Sequence, residues 1–394
     1  MSRSEDTALW ARLRSQRLAG LTVLLTVGSF LLPLGTTGQG VALNWNQVAT
    51  PFVFACCGLF TALLAVVRPP SRPAGVLAFA LAAGIAALAP LSLLETDILQ
   101  RFGTVAWAGG FWCYTAALGL LAITTVRRLA RLSPQRTAGA WGARYGPPLL
   151  FGIWVLVFWQ LLTRAFDVPQ VLLPAPSVVG HALGAGAAVL WGDFEQTVLH
   201  AALIGLVAGS ALGFATGVLI DRSPFLQRGL LPLAALASTM PLVGIAPIMV
   251  MWFGFDWHSK AAVVVVMTFF PMLVNTLAGL TQSGAMERDL MRSYGASYWR
   301  TLTALRIPIA LPFVFNALKV NSTLAMIGAI VAEFFGSPTA GLGFRISTEA
   351  ARLDMGLVWA AIAVAALAGS LLYGLLGWVE RRVTFWHPSF RTST

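Results

Sequence analysis

An all-α integral membrane protein is the fold class this sequence predicts, and three observations carry it. Hydrophobic residues make up 57% of the 394 residues, charged residues 10%, and mean hydropathy is +0.77, well outside the range of soluble globular domains. Apolar text recurs in ten stretches, each close to the roughly 20 residues a helix needs to cross the hydrocarbon. Between them the loops alternate between rich and poor in arginine, as the positive-inside rule requires.

The stretches run from Leu18 to Gly35, Pro51 to Val67, Ala74 to Leu94, Thr104 to Val126, Pro147 to Leu162, Thr197 to Ile220, Gly229 to Phe253, Ala261 to Gln282, Ile309 to Ala332 and Gly356 to Val379. Their continuity excludes the alternation of a lipid-facing barrel strand, so helices are the form expected. The first run follows Arg12, Arg14 and Arg17 and has no small-x-small cleavage site, so it reads as a retained helix. With the amino terminus in the cytoplasm, twenty of the 26 basic residues fall inside, among them Arg127, Arg128, Arg131, Arg136 and Arg144 and the loop residues Arg288, Arg292, Arg300 and Arg306. Only Arg101, Arg164, Lys260, Arg345 and Arg352 fall outside, with Lys319 left in a span. Both termini are therefore expected in the cytoplasm. The net charge of +11 is topological and calls for no nucleic acid. Cys56, Cys57 and Cys113 lie in apolar runs without metal-ligand spacing and are expected as small buried hydrophobes.

Arginines, prolines and glycines interrupt the apolar text between two blocks. Residues 1–133 form an accessory four-helix membrane block, 134–146 a basic cytoplasmic linker, and 147–394 a six-helix core carrying the polar loop 283–308. The first block has no acid, lysine or histidine within a span, so packing, assembly or lipid contact is its expected role.

The polar stretch Glu287–Pro312 lies between two spans and must be a soluble element. It reads as a helix from Glu287 to Tyr294, a reversal at Gly295, and a second helix from Ala296 to Leu305 closed by Pro308. Gly295 is expected both to make the turn and to let the two helices pack closely. Asp289-Leu290-Met291 stands six residues before Gly295, and Leu305-Arg306-Ile307-Pro308 follows. Elsewhere the chain reads Leu173-Pro174-Ala175-Pro176-Ser177, Met240 to Pro247, Trp252-Phe253-Gly254, Ser259-Lys260, Leu311-Pro312, Leu318-Lys319, Ala332-Glu333, Gly341-Leu342-Gly343 and Glu380-Arg381-Arg382. In this order, from Pro147 to the end, the motifs resemble the binding-protein-dependent ABC importer permeases, in the branch that serves nitrate, sulfonates and taurine. The letters naming the family's EAA loop are kept only conservatively, and the first four spans lie outside the resemblance.

The resemblance implies that the loop docks into a separate ATPase, with Asp289, Arg292, Gly295, Ala296, Ser297, Leu305, Ile307 and Pro308 forming the coupling surface. It further implies two ABC ATPase subunits, an extracytoplasmic solute-binding protein, and a second permease, either a copy or a relative. The solute would be small: nitrate, a sulfonate, taurine, another organic anion or a vitamin precursor. No phosphate-binding loop of the Gly-x-x-x-x-Gly-Lys-Ser/Thr kind and no nucleophile-base constellation is present in the sequence. The chain is thus expected to be no enzyme and to bind no cofactor of its own, ATP being used by the partner.

Candidates for the translocation path follow from polarity within the spans. The stretch Gly229–Phe253 holds Pro232, Pro241 and Pro247, whose freed carbonyls lipid cannot satisfy, so Ser238, Thr239, Met240 and Pro241 are placed beside a kink facing helices or water. Asn275, Asn316, Lys319 and Glu333 complete the set. Asn316 and Lys319 share a helix face, which suits either a path or interhelical bonding. Lys319 is expected to snorkel or meet a carbonyl, Glu333 to cap a helix or meet the binding protein, and His200 to be packed. The rival reading is an ion-coupled secondary transporter. Such proteins place acids within the membrane and often show repeated halves, whereas the fifteen acids here lie in loops or at span edges and no repeat is visible.

Overall fold

The computed structural model describes residues 2–37, 40–67, 73–94, 105–131, 140–223, 225, 229, 242–336 and 339–386, with side chains from Arg17 onward except at 73–74, 140–144 and 242–243. Among the described residues, eight helical stretches are long and apolar enough to span a bilayer: 49–67, 75–93, 109–130, 145–165, 187–221, 257–280, 298–336 and 355–383. Shorter apolar helical pieces, Arg17–Leu31 and Gly244–Phe253, lie on the first and seventh expected stretches. The all-α membrane fold is thus observed. Much of the seventh stretch, including Ser238, Thr239, Met240 and Pro241, lies outside the described residues.

Two compact units divide between Ser177 and Val178. In the first are α1 (Ser2–Leu31), α2 (Ala49–Val67), α3 (Pro73–Leu93), α4 (Gly109–Ala130) and α5 (Ala140–Ala165). The compact division thus falls beyond the 134–146 linker, and α5 packs against α4 in this unit. A small antiparallel sheet also forms, with β1 (Gly35–Thr37) between β2 (Ala42–Leu43) and β3 (Val105–Trp107). The fourth span consequently begins at Gly109, not Thr104. Gly35 is needed there, because a Cβ would lie 2.8 Å from the Ala106 carbonyl oxygen. Below the sheet, the Trp45 indole donates to the Ser29 carbonyl (2.9 Å) and the Tyr114 hydroxyl to the Ala86 carbonyl (3.0 Å). Trp45 packs between Phe30 and Tyr114, at centroid distances of 5.4 and 5.3 Å, so its body is apolar while its N–H stays satisfied.

The cysteines depart from expectation: Cys56 is exposed, and Cys57 and Cys113 are half-buried. In lipid an apolar side chain needs no protein interior, so hydrophobicity does not imply burial.

In the second unit, α6 (Pro176–Ala185) precedes α7 (Ala187–Phe194), which runs through a π-helical segment, Glu195–Leu203, into α8 (Ile204–Asp221). Then come α9 (Leu242–Phe253), α10 (Trp257–Leu280), α11 (Ala285–Ser293), α12 (Tyr298–Thr301), α13 (Ile307–Gly336), α14 (Leu342–Ala351) and α15 (Met355–Val383). The core is built on α10, flanked by α8 and α13. Glycines 205, 209, 213 and 217 repeat every fourth residue along α8 and face α10. A Cβ at Gly213 would sit 2.9 Å from Met272 Cβ, and one at Gly209 would overlap Thr268 and Val265. Small residues at this spacing let two helix backbones approach closely, which is how spans associate where no hydrophobic effect drives them. Buried Asn321 ties the three helices together, its amide donating to Ser210 Oγ (3.1 Å) on α8 and the Thr268 carbonyl (2.8 Å) on α10. Gly209→Leu is expected to wedge α8 from α10 and destabilise the chain by about 3 kcal/mol or more. An unchanged midpoint of thermal unfolding in detergent would show that the contact is not tight.

Candidate functional site

Two facts of local chemistry build the polar loop. At the end of α11, Gly295 takes φ +66°, the Gly295 N–H donates to the Arg292 carbonyl (2.9 Å) and the Ala296 N–H to the Met291 carbonyl (3.0 Å). This is a glycine-terminated helix end of Schellman type. No atom lies within 4 Å of a Cβ built on Gly295. The glycine is therefore required by its backbone and not, as expected, by close packing of two loop helices. Ser297 then starts the next helix, its Oγ accepting from the Arg300 N–H at 3.3 Å.

The second helix also differs from expectation, since Pro308 does not close it. Residues 298–336 are continuously helical, with a π-helical segment at Leu302–Arg306 in which the Ile307 N–H donates back to the Leu302 carbonyl. That wider turn absorbs the donor missing at Pro308 without breaking the helix. The loop and the following span are thereby one rod.

The rod is clamped. Arg306 makes a bidentate pair with Asp221, Nη1 to Oδ2 at 2.6 Å and Nη2 to Oδ1 at 2.8 Å. The same guanidinium donates to the Leu280 carbonyl from Nε (3.2 Å) and Nη2 (3.0 Å), and the Tyr298 hydroxyl lies 3.4 Å from Asp221 Oδ2. Arg306 and Asp221 are 13% and 7% exposed, so the planar fork works in a desolvated joint uniting the ends of α8 and α10 with the rod. Leu280, Leu302 and Ala310 are buried beneath it, packed by Val218, Tyr298 and Ile307. Arg222 lies over the Tyr298 and Trp299 rings, at 5.5 and 5.8 Å.

Helix α11, by contrast, buries no residue. Met286, Leu290 and Tyr294 stand four apart and are 83%, 56% and 82% exposed, forming an apolar row on a polar helix. Asp289 and Arg292 are exposed and pair at 3.4 Å, a contact worth little in water. Gly295 and Ser297 are exposed too, while Ala296, Leu305, Ile307 and Pro308 are half-buried toward the joint.

The four described path candidates do not converge. Asn275 donates to the Pro271 carbonyl of its own helix at 2.8 Å. Asn316 is exposed and lines an open groove with Gln282, Pro308, Pro312, Phe313 and Trp386. Lys319 pairs with Glu380 in the last turn of α15 at 2.8 Å, so its ammonium meets a carboxylate and not a carbonyl. Glu333 is buried, accepting from Thr197 Oγ1 (2.7 Å) and the Gly343 N–H (2.7 Å), which is the capping role expected of it. His200 is half-buried beside Trp257, centroids 5.9 Å apart.

Glu333 belongs to a polar cluster at the far end of the unit that sequence reading did not assemble. Asp193 accepts the Gly341 N–H (2.8 Å) and pairs with Arg345 Nε (2.8 Å), and the Leu342 N–H donates to Thr197 Oγ1 (2.7 Å). Hydrogen bonding to Asp193 raises the Arg345 pKa further, so that side chain stays charged. Lys260, expected in an outer loop, is buried in the first turn of α10, where its ammonium donates to the carbonyls of Phe255, Asp256 and Gly336. Three donors meet three acceptors, including the carbonyl that ends α13. Asp221 was legible only as an acid closing an apolar run; its partner stands 85 residues away.

The described residues thus form a bundle of apolar, membrane-length helices carrying one rigidly mounted polar loop with an exposed apolar row, and hold no metal-binding cluster: a multi-spanning membrane protein. Residues 205–385 match the family of the binding-protein-dependent transport system inner membrane component. A probable ABC transporter permease protein of Haemophilus influenzae is 30% identical over 236 residues, which is 60% of this chain and 95% of that protein. The riboflavin transport system permease protein of Chloroflexus aurantiacus is 32% identical over 239 residues (60% and 88%), and the taurine transport system permease protein of Escherichia coli 28% over 235 residues (59% and 85%). The chain belongs to the binding-protein-dependent ABC transporter permeases, multi-pass proteins of the inner membrane, in the branch the motifs indicated. As a class these work with an ATPase and a solute-binding protein.

Proposed function

We propose that this chain forms the translocation path of an ATP-driven importer and that α11 with the rod from Tyr298 is the handle by which a separate ATPase moves it. The observation that carries this reading is the continuity of residues 298–336 together with the buried Arg306–Asp221 clamp. A displacement of the loop is delivered to α13 directly and to α8 and α10 through the joint, as a rigid-body motion. The row Met286, Leu290 and Tyr294 is the apolar anchor of docking, with Asp289, Arg292 and Arg300 as its charged rim. ATP hydrolysis takes place on the partner, and this chain holds no cofactor of its own. A second permease, identical or related, completes the path, and a binding protein delivers a small solute of the kind its relatives' names record, riboflavin and taurine among them. Residues 147–394 carry this function and the first four helices are accessory. Asn316, on the open groove at the loop end, is the best placed of the path candidates; Lys319 and Asn275 serve as interhelical and intrahelical bonds.

Gly295→Trp tests the reading. A side chain at φ +66° costs about 1–2 kcal/mol in strain, and the indole projects onto the docking surface. The variant is expected to insert and stay folded, to lose co-purification with the ATPase and to abolish ATP-driven uptake in vesicles. Normal uptake by this variant would end the docking role of the loop.

A further inference from the structure

In the first unit, α4 and α5 line an almost wholly apolar groove of about 830 Å³. Its walls include Phe151, Trp154, Phe158 and Phe166, and Gly119 and Ala122 leave the floor low. From Phe151 to Phe166 the groove follows the helix for about 22 Å at 1.5 Å per residue. That exceeds one leaflet, half of a hydrocarbon core about 30 Å thick. A partner helix about 10 Å across would occupy roughly twice the groove's volume over the same length. A single acyl chain has the shape that fits.

The ends of the groove differ in charge. Arg127 lines one end, and Arg131 follows four residues on, on the same helix face; both are exposed. Arg128 between them is turned away, donating to the Ala65 carbonyl (3.2 Å) and lying over the Phe79 ring at 4.8 Å. Asp167, the carboxylate whose side chain is described in this unit, lies at the opposite end beside Phe166 and Val168. By the positive-inside reading, the arginine end faces the cytoplasmic leaflet.

We infer that this groove is a binding site for one anionic phospholipid, its acyl chain laid along Gly119, Ala122, Val155 and Phe158 and its phosphate held by Arg127 and Arg131. A guanidinium pair recognises a phosphodiester by charge-assisted bonds, and basic pockets between spans on the cytoplasmic side select acidic headgroups. This assigns a ligand to the seam between the last accessory helix and the first helix of residues 147–394, independently of whether the loop docks an ATPase.

The test is native mass spectrometry of the full chain, purified in a nonionic detergent and titrated separately with palmitoyl-oleoyl phosphatidylglycerol and phosphatidylcholine. Wild type is expected to retain one phosphatidylglycerol per chain under activation that strips phosphatidylcholine. Arg127→Gln should weaken phosphatidylglycerol retention about five-fold, to near the phosphatidylcholine level. Gly119→Leu, where a Cβ has no atom nearer than Phe158 Cζ at 3.7 Å, should plug the groove and remove both lipids. Both positions tolerate the change without core contacts, and a wild-type thermal midpoint verifies this. Equal retention of the two lipids, or phosphatidylglycerol binding untouched by Gly119→Leu, would overturn the assignment. So would a disulfide dimer of Gly119→Cys, with Cys56, Cys57 and Cys113 changed to Ala, that forms irrespective of added lipid, since a second copy would then cover the groove.

Discussion

Arg306→Ala is expected to abolish ATP-driven uptake and to lower stability by about 3–5 kcal/mol, the usual cost of stranding one partner of a buried ion pair. Among the described residues, Asp221, 7% exposed, would keep only the long contact from the Tyr298 hydroxyl, and the Leu280 carbonyl would lose both its guanidinium donors. Without the clamp the loop remains joined to α13, but α8 and α10 no longer follow it. Hydrolysis by the partner should therefore continue while transport stops. Arg306→Lys is the instructive companion: it keeps the charge but not the planar fork, so partial uptake is expected. Uptake at the wild-type level by Arg306→Ala would show that movement reaches the path by another route.

The second large effect is expected at the opposite end of the same unit. Asp193→Ala leaves the Gly341 N–H without its acceptor and reduces the Arg345 guanidinium to Glu349, at 3.4 Å. Because Asp193 is only 1% exposed within the pair, a loss of about 3 kcal/mol is expected, at the low end for a buried pair since Glu349 remains. The start of α14 should loosen first, read as faster hydrogen exchange at Gly341 to Arg345 than in the rest of the unit. A double-mutant cycle with Arg345→Ala measures the coupling directly. Additive effects would mean that the two side chains do not work as a pair.

What was legible in the sequence follows from what lipid demands. Continuous apolar runs and arginine placement fixed the helical class, because a bilayer leaves few choices. Gly295 was legible as a turn, since φ +66° is a local backbone property. Its environment was not, and the packing expected around it is absent. Pro308 misled because a π-helical turn five residues long carries the helix past it. The polar joints were invisible for a different reason. Asp221 with Arg306, Asp193 with Arg345 and Lys319 with Glu380 are separated by 85, 152 and 61 residues, and spacing along the chain says nothing about such pairs. All but Lys319, which falls within a span, read as loop or edge charges; each is part of a desolvated contact between helices. The glycine repeat on α8 was present in plain letters, at the four-residue period that packs spans, and is the signal that reading by hydropathy alone passes over.

The measurement that tests the central claim most directly is photocrosslinking from the exposed row of α11 in native membranes, with Leu290 replaced by p-benzoylphenylalanine. Leu290 is 56% exposed on a helix that buries none of its residues, so the substitution is expected to leave the fold intact. The account predicts one dominant adduct with an ATP-hydrolysing protein, lost when Gly295→Trp is added. Recovery of the folded chain with no ATPase adduct, under conditions where uptake is active, would contradict it.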